Sequence, residues 1–252
     1  MNDAATAYDR SFFQSISGMS ARSARRLLPI AIELLHPASV VDIGCGTGGW
    51  LAEFMRLGVS DAIGVDGDYV ARETLEIAVE RYRGQDITRR FDLGRRFDLA
   101  VCLDVGEHIP TASSTTLVDN IVTHAPMVLF SAAVPGQGGQ DHINEQPLAF
   151  WRDLFAERGY AAFDPIRPRL RGDRDVEPWY RNNVLLFVRK DAVAGLAVAV
   201  RVTEIAADSP IADVSSPLFR VRKFVLRRLP RPVVNGMART KHLIRSSLQA
   251  RA

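Results

Sequence analysis

The sequence predicts an α/β fold in which a parallel sheet carries helices on both faces. The first observation is that short apolar runs alternate with helical patterns at a steady pace through residues 1–190. The second is that several runs end in an acid, as at Asp42, Asp66 and Asp104. Because ligands bind at the carboxyl edge of such sheets, where these acids meet, the pattern indicates a binding site.

The elements follow from the apolar patterns in chain order. An amphipathic helix is predicted over residues 23–35, and Pro37 stops it before the first strand. The other predicted helices cover residues 50–57, a short piece at 69–77, residues 113–124, and a helix capped by Asn144 or a neighbour that runs to 158. The predicted strands are a run ending at Asp42 and residues 61–66, 81–87, 97–103, 127–133, 160–165 and 183–189.

A glycine turn follows the first strand. Its residues fit both the dinucleotide fingerprint G-x-G-x-x-G, at residues 44–49, and the pattern D-x-G-x-G-x-G, at residues 42–48. Glycines let the backbone approach a ligand, and the N–H groups that open the next helix favour a carboxylate or phosphate. An acid such as Asp42 suits an ammonium group better than a pyrophosphate. S-adenosylmethionine, which carries an ammonium, a carboxylate and a ribose, therefore competes with a dinucleotide for this turn.

Two further strand ends support a nucleoside ligand. Asp66 ends the second strand about twenty residues past the glycines, where ribose hydroxyls are usually held. Together with residues 104–108, the sequence Asp-Val-Gly-Glu-His, these features resemble the class I S-adenosylmethionine-dependent methyltransferases over about residues 36–190. Residues 130–139 and 142–146 are similar to a bacterial subgroup of methyltransferase-domain proteins.

The resemblance implies both a topology and a set of contacts. It implies a Rossmann-like, doubly wound, seven-stranded sheet in the order 3-2-1-4-5-7-6, with strand 7 antiparallel. It places the ribose on Asp66 and the adenine on Asp86. The cofactor-binding residues it implies are Asp42, Gly44, Cys45, Gly46, Gly48, Asp66, Gly67, Asp86, Ile87 and Asp104.

Three residues on neighbouring loops are candidates for catalysis. His108 and Glu107 follow the fourth strand, and His142 lies in the glycine-rich loop after the fifth. Methyl transfer to an oxygen needs a base for the acceptor proton, and an imidazole titrates near neutral pH. Either histidine could serve, although His108 could instead only hydrogen-bond its loop or the cofactor.

A metal site is the alternative for the same cluster. Asp104, Glu107, His108 and His142 are similar to the ligand set of metal-dependent ribose methyltransferases that act on small RNA ends. Oxygen and imidazole ligands would suit Mg, Mn or Zn. The first position here is Asp104 where that family has glutamate, which has a longer reach. We therefore expect S-adenosylmethionine as cofactor without a metal, and keep the divalent metal as an alternative.

These features predict an S-adenosylmethionine-dependent methyltransferase that acts on an oxygen of a small molecule or a glycan or cell-envelope precursor. Trp179 and Tyr180 are candidates for its acceptor pocket or for packing on the sheet edge, whereas Trp151 has the spacing of a core residue. The alternatives are a metal-assisted ribose methyltransferase on RNA and a non-catalytic S-adenosylmethionine-binding protein. An NAD-dependent oxidoreductase would need a hydride-site pair that residues 103–110 do not offer.

Composition and charge indicate the cellular compartment. The 252-residue chain is 47% hydrophobic and has two cysteines, Cys45 and Cys102, without a disulfide framework. Its start has no signal-peptide pattern, and no apolar run has the length of a membrane span. These features predict a cytoplasmic protein. No nucleic-acid recognition motif is visible, and no pattern indicates an oligomeric state.

The charge is divided unevenly along the chain. Residues 217–252 hold ten of the 32 bases and none of the 29 acids, so residues 1–216 carry 22 bases and a net charge of −7. We predict a methyltransferase domain at 1–190, a linker at 191–216 and a basic amphipathic tail at 217–252, with a helix to Leu229 and a weaker one to Leu248. The apolar stripe Leu218, Val221, Val225 and Leu229 predicts either packing on the domain or peripheral contact with the inner membrane surface.

Overall fold

A computed structural model describes residues 10–230, 232–238 and 240, with side chains from residue 18 onward. The helices are α1 (Arg10–Leu35), α2 (Gly49–Arg56), α3 (Ser114–His124), α4 (Leu148–Ala156), α5 (Pro178–Asn183), α6 (Val198–Arg201) and α7 (Pro217–Leu226). The strands are β1 (Ser39–Ile43), β2 (Asp61–Asp66), β3 (Tyr82–Gly84), β4 (Leu99–Leu103), β5 (Met127–Ser131), β6 (Tyr160–Phe163), β7 (Leu185–Arg189) and β8 (Glu204–Ile205).

These strands form one mixed sheet in the order β3-β2-β1-β4-β5-β7-β6-β8. The first five strands pair in parallel, and β7 runs antiparallel between β5 and β6. The predicted order and the antiparallel seventh strand are confirmed. The sheet has eight strands instead of the expected seven, because Glu204 and Ile205 form an additional strand that pairs with β6. A two-residue strand is too short to produce an alternating pattern in the sequence.

The core lies on both faces of this sheet, as predicted. On one face, α1 and α2 bury Leu27, Leu28 and Phe54 against alternate strand residues such as Val40. On the other face, α3 and α4 bury their apolar side chains against the remaining strand residues. Successive side chains of a strand point to opposite faces, so strands that are apolar at every position require both layers of helices.

Several predicted boundaries are wrong. The third strand covers only Tyr82–Gly84 of the predicted residues 81–87, so Asp86 and Ile87 lie beyond it. The helical piece predicted at 69–77 is a single 3-10 turn, Arg72–Thr74. The fourth helix begins at Leu148 after Pro147, and Asn144 does not cap it. Edge strands and short connections contribute few apolar positions, so the pattern defines their ends poorly.

The segment predicted as a linker, residues 191–216, contains α6 and β8, and β8 is paired to the sheet. Beyond it, Ser216 caps α7 by accepting a hydrogen bond from the backbone of Phe219. Residues 232–238 are helical, and residues 241–252 of the predicted weaker helix lie outside the described residues. The division into domain, linker and tail remains a prediction. No helix of the described part of the chain is long and apolar enough to cross a membrane.

Candidate active site

The glycine turn joins β1 to α2 at the carboxyl edge of the sheet. Gly44, Gly46 and Gly48 all have positive φ, between 53° and 86°, a conformation that favours glycine. A Cβ on Gly44 would lie 2.4 Å from Val105 in the loop after β4. A Cβ on Gly48 would lie 2.8 Å from Ile77, so neither Gly44 nor Gly48 can be replaced without moving a neighbouring side chain.

Asp66, at the end of β2, anchors this turn. Its carboxylate accepts hydrogen bonds from the backbone N–H groups of Gly46 and Gly67, both at 2.7 Å, and from the Tyr69 hydroxyl. Burial raises the pKa of Asp66, although these three donors each lower it. Tyr69 was not among the predicted site residues, and only its position three residues after Asp66 could have suggested it.

Asp42 and Cys45 lie buried beneath the turn. Burial, followed by the nearby charge of Asp66, raises the pKa of Asp42 to about 8. Burial likewise raises the pKa of the Cys45 thiol well above its usual value. The raised pKa values favour the neutral forms of both groups.

Asp86 and Ile87 lie on the same edge but differ in exposure. The Asp86 carboxylate is exposed and accepts hydrogen bonds from the backbone N–H and hydroxyl of Thr88. Ile87 is buried against the core of the α3 face. Asp86 can therefore offer a carboxylate oxygen to a ligand at the surface, whereas Ile87 offers only an apolar wall.

Asp104 and Glu107 follow β4. Asp104 has a positive φ of 58°, unusual outside glycine, and its N–H donates to the Ser131 carbonyl on β5. Burial raises the pKa of Asp104 to about 7, although hydrogen bonds with Glu107 and Ser131 lower it. Burial and then the charge of Asp104 raise the pKa of Glu107 well above its usual value. Among the described residues, Glu107 Oε2 has no hydrogen-bond partner.

The two candidate histidines face each other across the loops after β4 and β5. The ring centroids of His108 and His142 are 5.0 Å apart in an edge-to-face arrangement. Burial, and then the charge of His142, lowers the pKa of His108 to about 3. Glu107, His108 and His142 have ligand atoms within 4.8 Å of one another, and Asp104 does not join this group. The predicted four-residue metal set is therefore reduced to three.

Glu145 holds His142 in position, and no role was predicted for it. One Glu145 oxygen lies 3.0 Å from His142 Nδ1 and accepts the Gly138 N–H, and the other accepts the Gly136 N–H. Burial raises the pKa of Glu145, but the hydrogen bond and charge of His142 and the two N–H donors lower it overall. Glu145 is thus an anion at neutral pH, and an Nδ1–H that donates to it leaves the Nε2 lone pair of His142 available.

Asn144 connects the loops after β4 and β5. Its amide donates to the Gly106 carbonyl and to the Ser114 hydroxyl, and its carbonyl accepts the Thr111 hydroxyl. The side chain is fully buried, so each of these groups depends on it for a partner. Asn144 therefore joins the loops after β4 and β5 and is not the helix cap that the sequence suggested.

A cavity of about 220 Å³ lies between the loop after β5 and the C-terminal segment. His142, Glu145 and Gly139 line one wall, and Leu226 and Arg227 belong to the other. Further lining residues are Pro135, Gly136, Gly138, Leu229, Val234 and Asn235. The C-terminal segment thus forms part of the cavity that contains the candidate base.

The predicted aromatic residues lie in the core. Trp151 is fully buried and packs against Phe130, which confirms its interpretation as a core residue. Tyr180 is buried with its ring 5.0 Å from that of Trp50, and its hydroxyl lies 3.1 Å from the Ser20 hydroxyl. Trp179 packs partly buried against the same core. These contacts favour packing for Trp179 and Tyr180 over a place in the cavity.

The sheet order and the site together define a class of protein. An antiparallel strand inserted between β5 and β6, next to a glycine turn backed by acids, is the arrangement of class I S-adenosylmethionine-dependent methyltransferases. The dinucleotide-binding order has no such strand. The sequence matches the family described as "Methyltransferase domain" over residues 16–164, more than half of the chain, and the chain belongs to that family.

Solved structures share this fold at low sequence identity. A sugar N-methyltransferase from Streptoalloteichus is 17% identical, with a TM-score of 0.52 over 68% of this chain and 88% of that one. Human N-acetylserotonin methyltransferase, solved with S-adenosylmethionine, is 15% identical, with a TM-score of 0.50 over 71% and 55%. The methyltransferase domain of a bacterial Hen1 protein is 16% identical, with a TM-score of 0.50 over 66% and 98%. No curated protein matches the sequence.

Proposed function

We propose that this methyltransferase transfers a methyl group from S-adenosylmethionine to an oxygen of a small molecule or glycan precursor. The observation that carries the proposal is the Glu145–His142 pair, which lines a cavity at the carboxyl edge of the sheet. A hydroxyl acceptor must lose a proton during transfer, and a histidine oriented by a carboxylate is suited to remove it.

The glycine turn and the acids around it are the residues we assign to the cofactor. S-adenosylmethionine supplies an electrophilic methyl group on a sulfonium when it is bound. The N–H groups at the start of α2 would face its carboxylate, and Asp42 its ammonium. A cation beside Asp42 would offset the burial that raises the pKa of this carboxyl to about 8. Asp66 and Asp86 are the candidates for the ribose and the adenine.

We assign the role of general base to His142 rather than to His108. With a pKa lowered to about 3 by burial, His108 is too weak a base to take a proton at neutral pH. His142 accepts at Nε2 the proton that the acceptor hydroxyl loses as its oxygen takes the methyl group. Glu145 stabilises the imidazolium that results, and the buried Glu107 holds the loop through its carbonyl, which accepts the Ile143 and Asn144 N–H groups.

The size and lining of the cavity support this acceptor class. A volume of about 220 Å³ is below the usual range for drug-sized ligands and suits a single sugar or aromatic ring. Its wall combines apolar side chains with Arg227 and Asn235, which suits a polar ring with an apolar face.

We also infer a reducing cytoplasmic compartment, which the two buried cysteines without a disulfide support.

Replacement of His142 tests the proposal. The His142→Ala protein should retain its melting temperature and its affinity for S-adenosylmethionine while methyl transfer falls by ~10²–10⁴-fold, the usual contribution of a general base. The assay follows labelled methyl transfer to a panel of nucleotide-linked sugars and hydroxylated aromatics, with product linkage determined by NMR. His108→Ala is the matched control and should lose less. An active His142→Ala protein, or a product methylated on nitrogen, would contradict the assignment.

One observation favours a second candidate, metal-assisted transfer to a ribose of RNA. Glu107, His108 and His142 bring one carboxylate and two imidazoles together, a donor set that suits Mn or Zn. These three residues would hold the ion, and the Glu107 oxygen without a partner fits that role. Loss of activity on chelation, restored by one divalent metal with an RNA substrate, would favour this candidate over the first. Binding of S-adenosylmethionine without methylation of either the small-molecule panel or the RNA would instead indicate a non-catalytic binding protein.

A further inference from the structure

The C-terminal helix α7 leaves an apolar face in solvent. Leu218, Val221, Phe224 and Val225 are 81%, 59%, 58% and 50% exposed. Among the described residues, seven of the thirteen large apolar side chains that are exposed fall between Leu218 and Met237. We call the four α7 side chains the outer face. This clustering distinguishes the outer face from apolar residues scattered singly over a surface, which need no explanation.

The opposite face of α7 is the one that packs on the molecule. Lys223 and Leu226 are buried, and Lys223 Nζ lies 2.8 Å from the Asp213 carboxylate. Arg222 donates to the Gln137 carbonyl and Arg227 to the Pro135 carbonyl, at 2.7 and 2.8 Å. These bonds fix the rotation of the helix, and the alternative that the apolar stripe packs on the domain is therefore wrong.

Basic side chains border the outer face. By helical spacing, Arg222 and Arg228 lie on either side of the stripe formed by Leu218, Val221 and Val225. The Arg228 guanidinium also lies 3.5 Å from the centroid of the Phe224 ring. Residues 217–252 contain ten bases and no acid, whereas residues 1–216 carry a net charge of −7. An anionic surface would therefore attract this C-terminal segment of the chain and repel the more acidic residues 1–216.

We propose that the outer face of α7 docks on an anionic lipid bilayer. A helix with an apolar stripe between arginines lies in the interface plane, with the stripe at the acyl boundary and the bases among acidic head groups. A nucleic acid would use the bases but not the apolar stripe. Since α7 is bonded to the loop that carries His142, docking places the cavity at the membrane surface. The proposal does not depend on the identity of the acceptor.

Vesicle flotation of the full chain tests the proposal. The wild-type protein should float with phosphatidylcholine vesicles that contain phosphatidylglycerol at low salt, and less at high salt. The variant Leu218→Ser/Val221→Ser/Val225→Ser should lose ~10-fold or more of this binding. The matched control is Val198→Ser/Val202→Ser, which changes two valines on and after α6 that are 62% and 75% exposed. It should float like the wild type.

Two further measurements keep the result interpretable. Thermal melting establishes that the variants are folded. A second variant, Arg228→Gln, should weaken binding to acidic vesicles without altering Leu218, Val221 and Val225. Equal flotation of wild type and triple variant, or equal binding to vesicles without phosphatidylglycerol, would overturn the proposal. A concentration-dependent dimer that the triple variant abolishes, without flotation, would assign the outer face to self-association and overturn it as well.

Discussion

At the scale of single residues, the candidate site is built from buried acids whose pKa values are raised by burial. Asp42 is buried with a pKa of about 8, and the Asp66 carboxylate is occupied by three protein donors. The Tyr69 hydroxyl takes the Asp66 oxygen Oδ1, which a ribose hydroxyl would otherwise share. Under the proposed assignment of Asp66 to the ribose, Tyr69 would compete with the cofactor for this oxygen.

This competition predicts opposite effects for two variants. Asp66→Ala should weaken S-adenosylmethionine binding by roughly 1–3 kcal/mol, the cost of losing hydrogen bonds to a charged group. Tyr69→Phe keeps the carboxylate and removes the competing donor, so it should bind as tightly as the wild type or more tightly. Titration calorimetry measures both. Unchanged affinity in Asp66→Ala would show that the ribose is held elsewhere.

Gly139 offers a test of His142 that leaves the imidazole in place. A Cβ on Gly139 would lie 2.1 Å from His142 Nε2, and Gly139 does not have a positive φ. Because the contact is with a side-chain ring rather than with the backbone, Gly139→Ala should displace the ring rather than unfold the loop. We expect methyl transfer to fall by ~10-fold or more with an unchanged melting temperature.

The control for this variant is Gly195→Ala, since a Cβ on Gly195 would meet no atom within 4 Å. Both proteins are compared by initial rate and by thermal melting. A Gly139→Ala protein as active as Gly195→Ala would mean that the position of the His142 ring does not limit the reaction.

At the scale of elements, the loop between β5 and α4 is held from three sides. Asn144 bonds it to the loop after β4, Gln137 accepts a hydrogen bond from Asn183 of α5, and α7 closes over residues 135–138. Loops that carry function are positioned by rigid elements in this way. The C-terminal segment is therefore a structural part of the candidate active site, although it lies outside the matched family region, residues 16–164.

Gly136 packs closely against α7. Its φ is +80°, and a Cβ there would lie 2.3 Å from the Lys223 backbone carbonyl, which cannot move as a side chain can. Gly136→Ala should destabilise the protein by roughly 1–3 kcal/mol and release α7 from the loop. Hydrogen exchange should show faster exchange within residues 217–226 while the sheet stays protected. Unchanged protection of α7 would contradict the contact.

At the scale of the whole molecule, buried acids make stability depend on pH. Asp42, Asp66, Asp104 and Glu107 all have raised pKa values, with burial as the largest cause. In the unfolded chain they ionise near their usual values of about 4. Over the interval up to their folded pKa values, the native state holds more protons than the unfolded state, so stability falls as pH rises.

Stability is compared above about pH 7, because histidine side chains of the unfolded chain are then neutral. His108 is also neutral in the folded protein in this range, since its pKa is lowered to about 3. Between about pH 7 and 9 the melting temperature should fall, since the pKa of Asp42 is about 8. Asp42→Asn removes the buried charge and should melt higher at the upper end, with a gain of roughly 1–3 kcal/mol. Parallel slopes for the two proteins would show that Asp42 is not the titrating group.

The amino-acid sequence by itself determined the sheet and most of its cofactor edge. Buried parallel strands are apolar at every position, and a glycine turn needs particular residues, so both leave local signals that residues 39–49 and 61–66 show plainly. Short elements with few apolar residues left no such signal. The two-residue β8, the short β3 and the start of α4 depend on pairing with distant residues.

Only the tertiary structure decided how the candidate-site loops and the tail come together. The contact of His142 with His108 arises because the sheet order brings the loops after β4 and β5 to one edge, whereas Glu145 lies three residues from His142 on the same loop. The rotation of α7 was equally undetermined, because its sequence shows a stripe and a basic face but not which of them packs. Lys223 turned inward because Asp213 offers it a partner, and this left Leu218, Val221 and Val225 in solvent. Polar pairs of this kind, which have no sequence period, determined the orientation of α7.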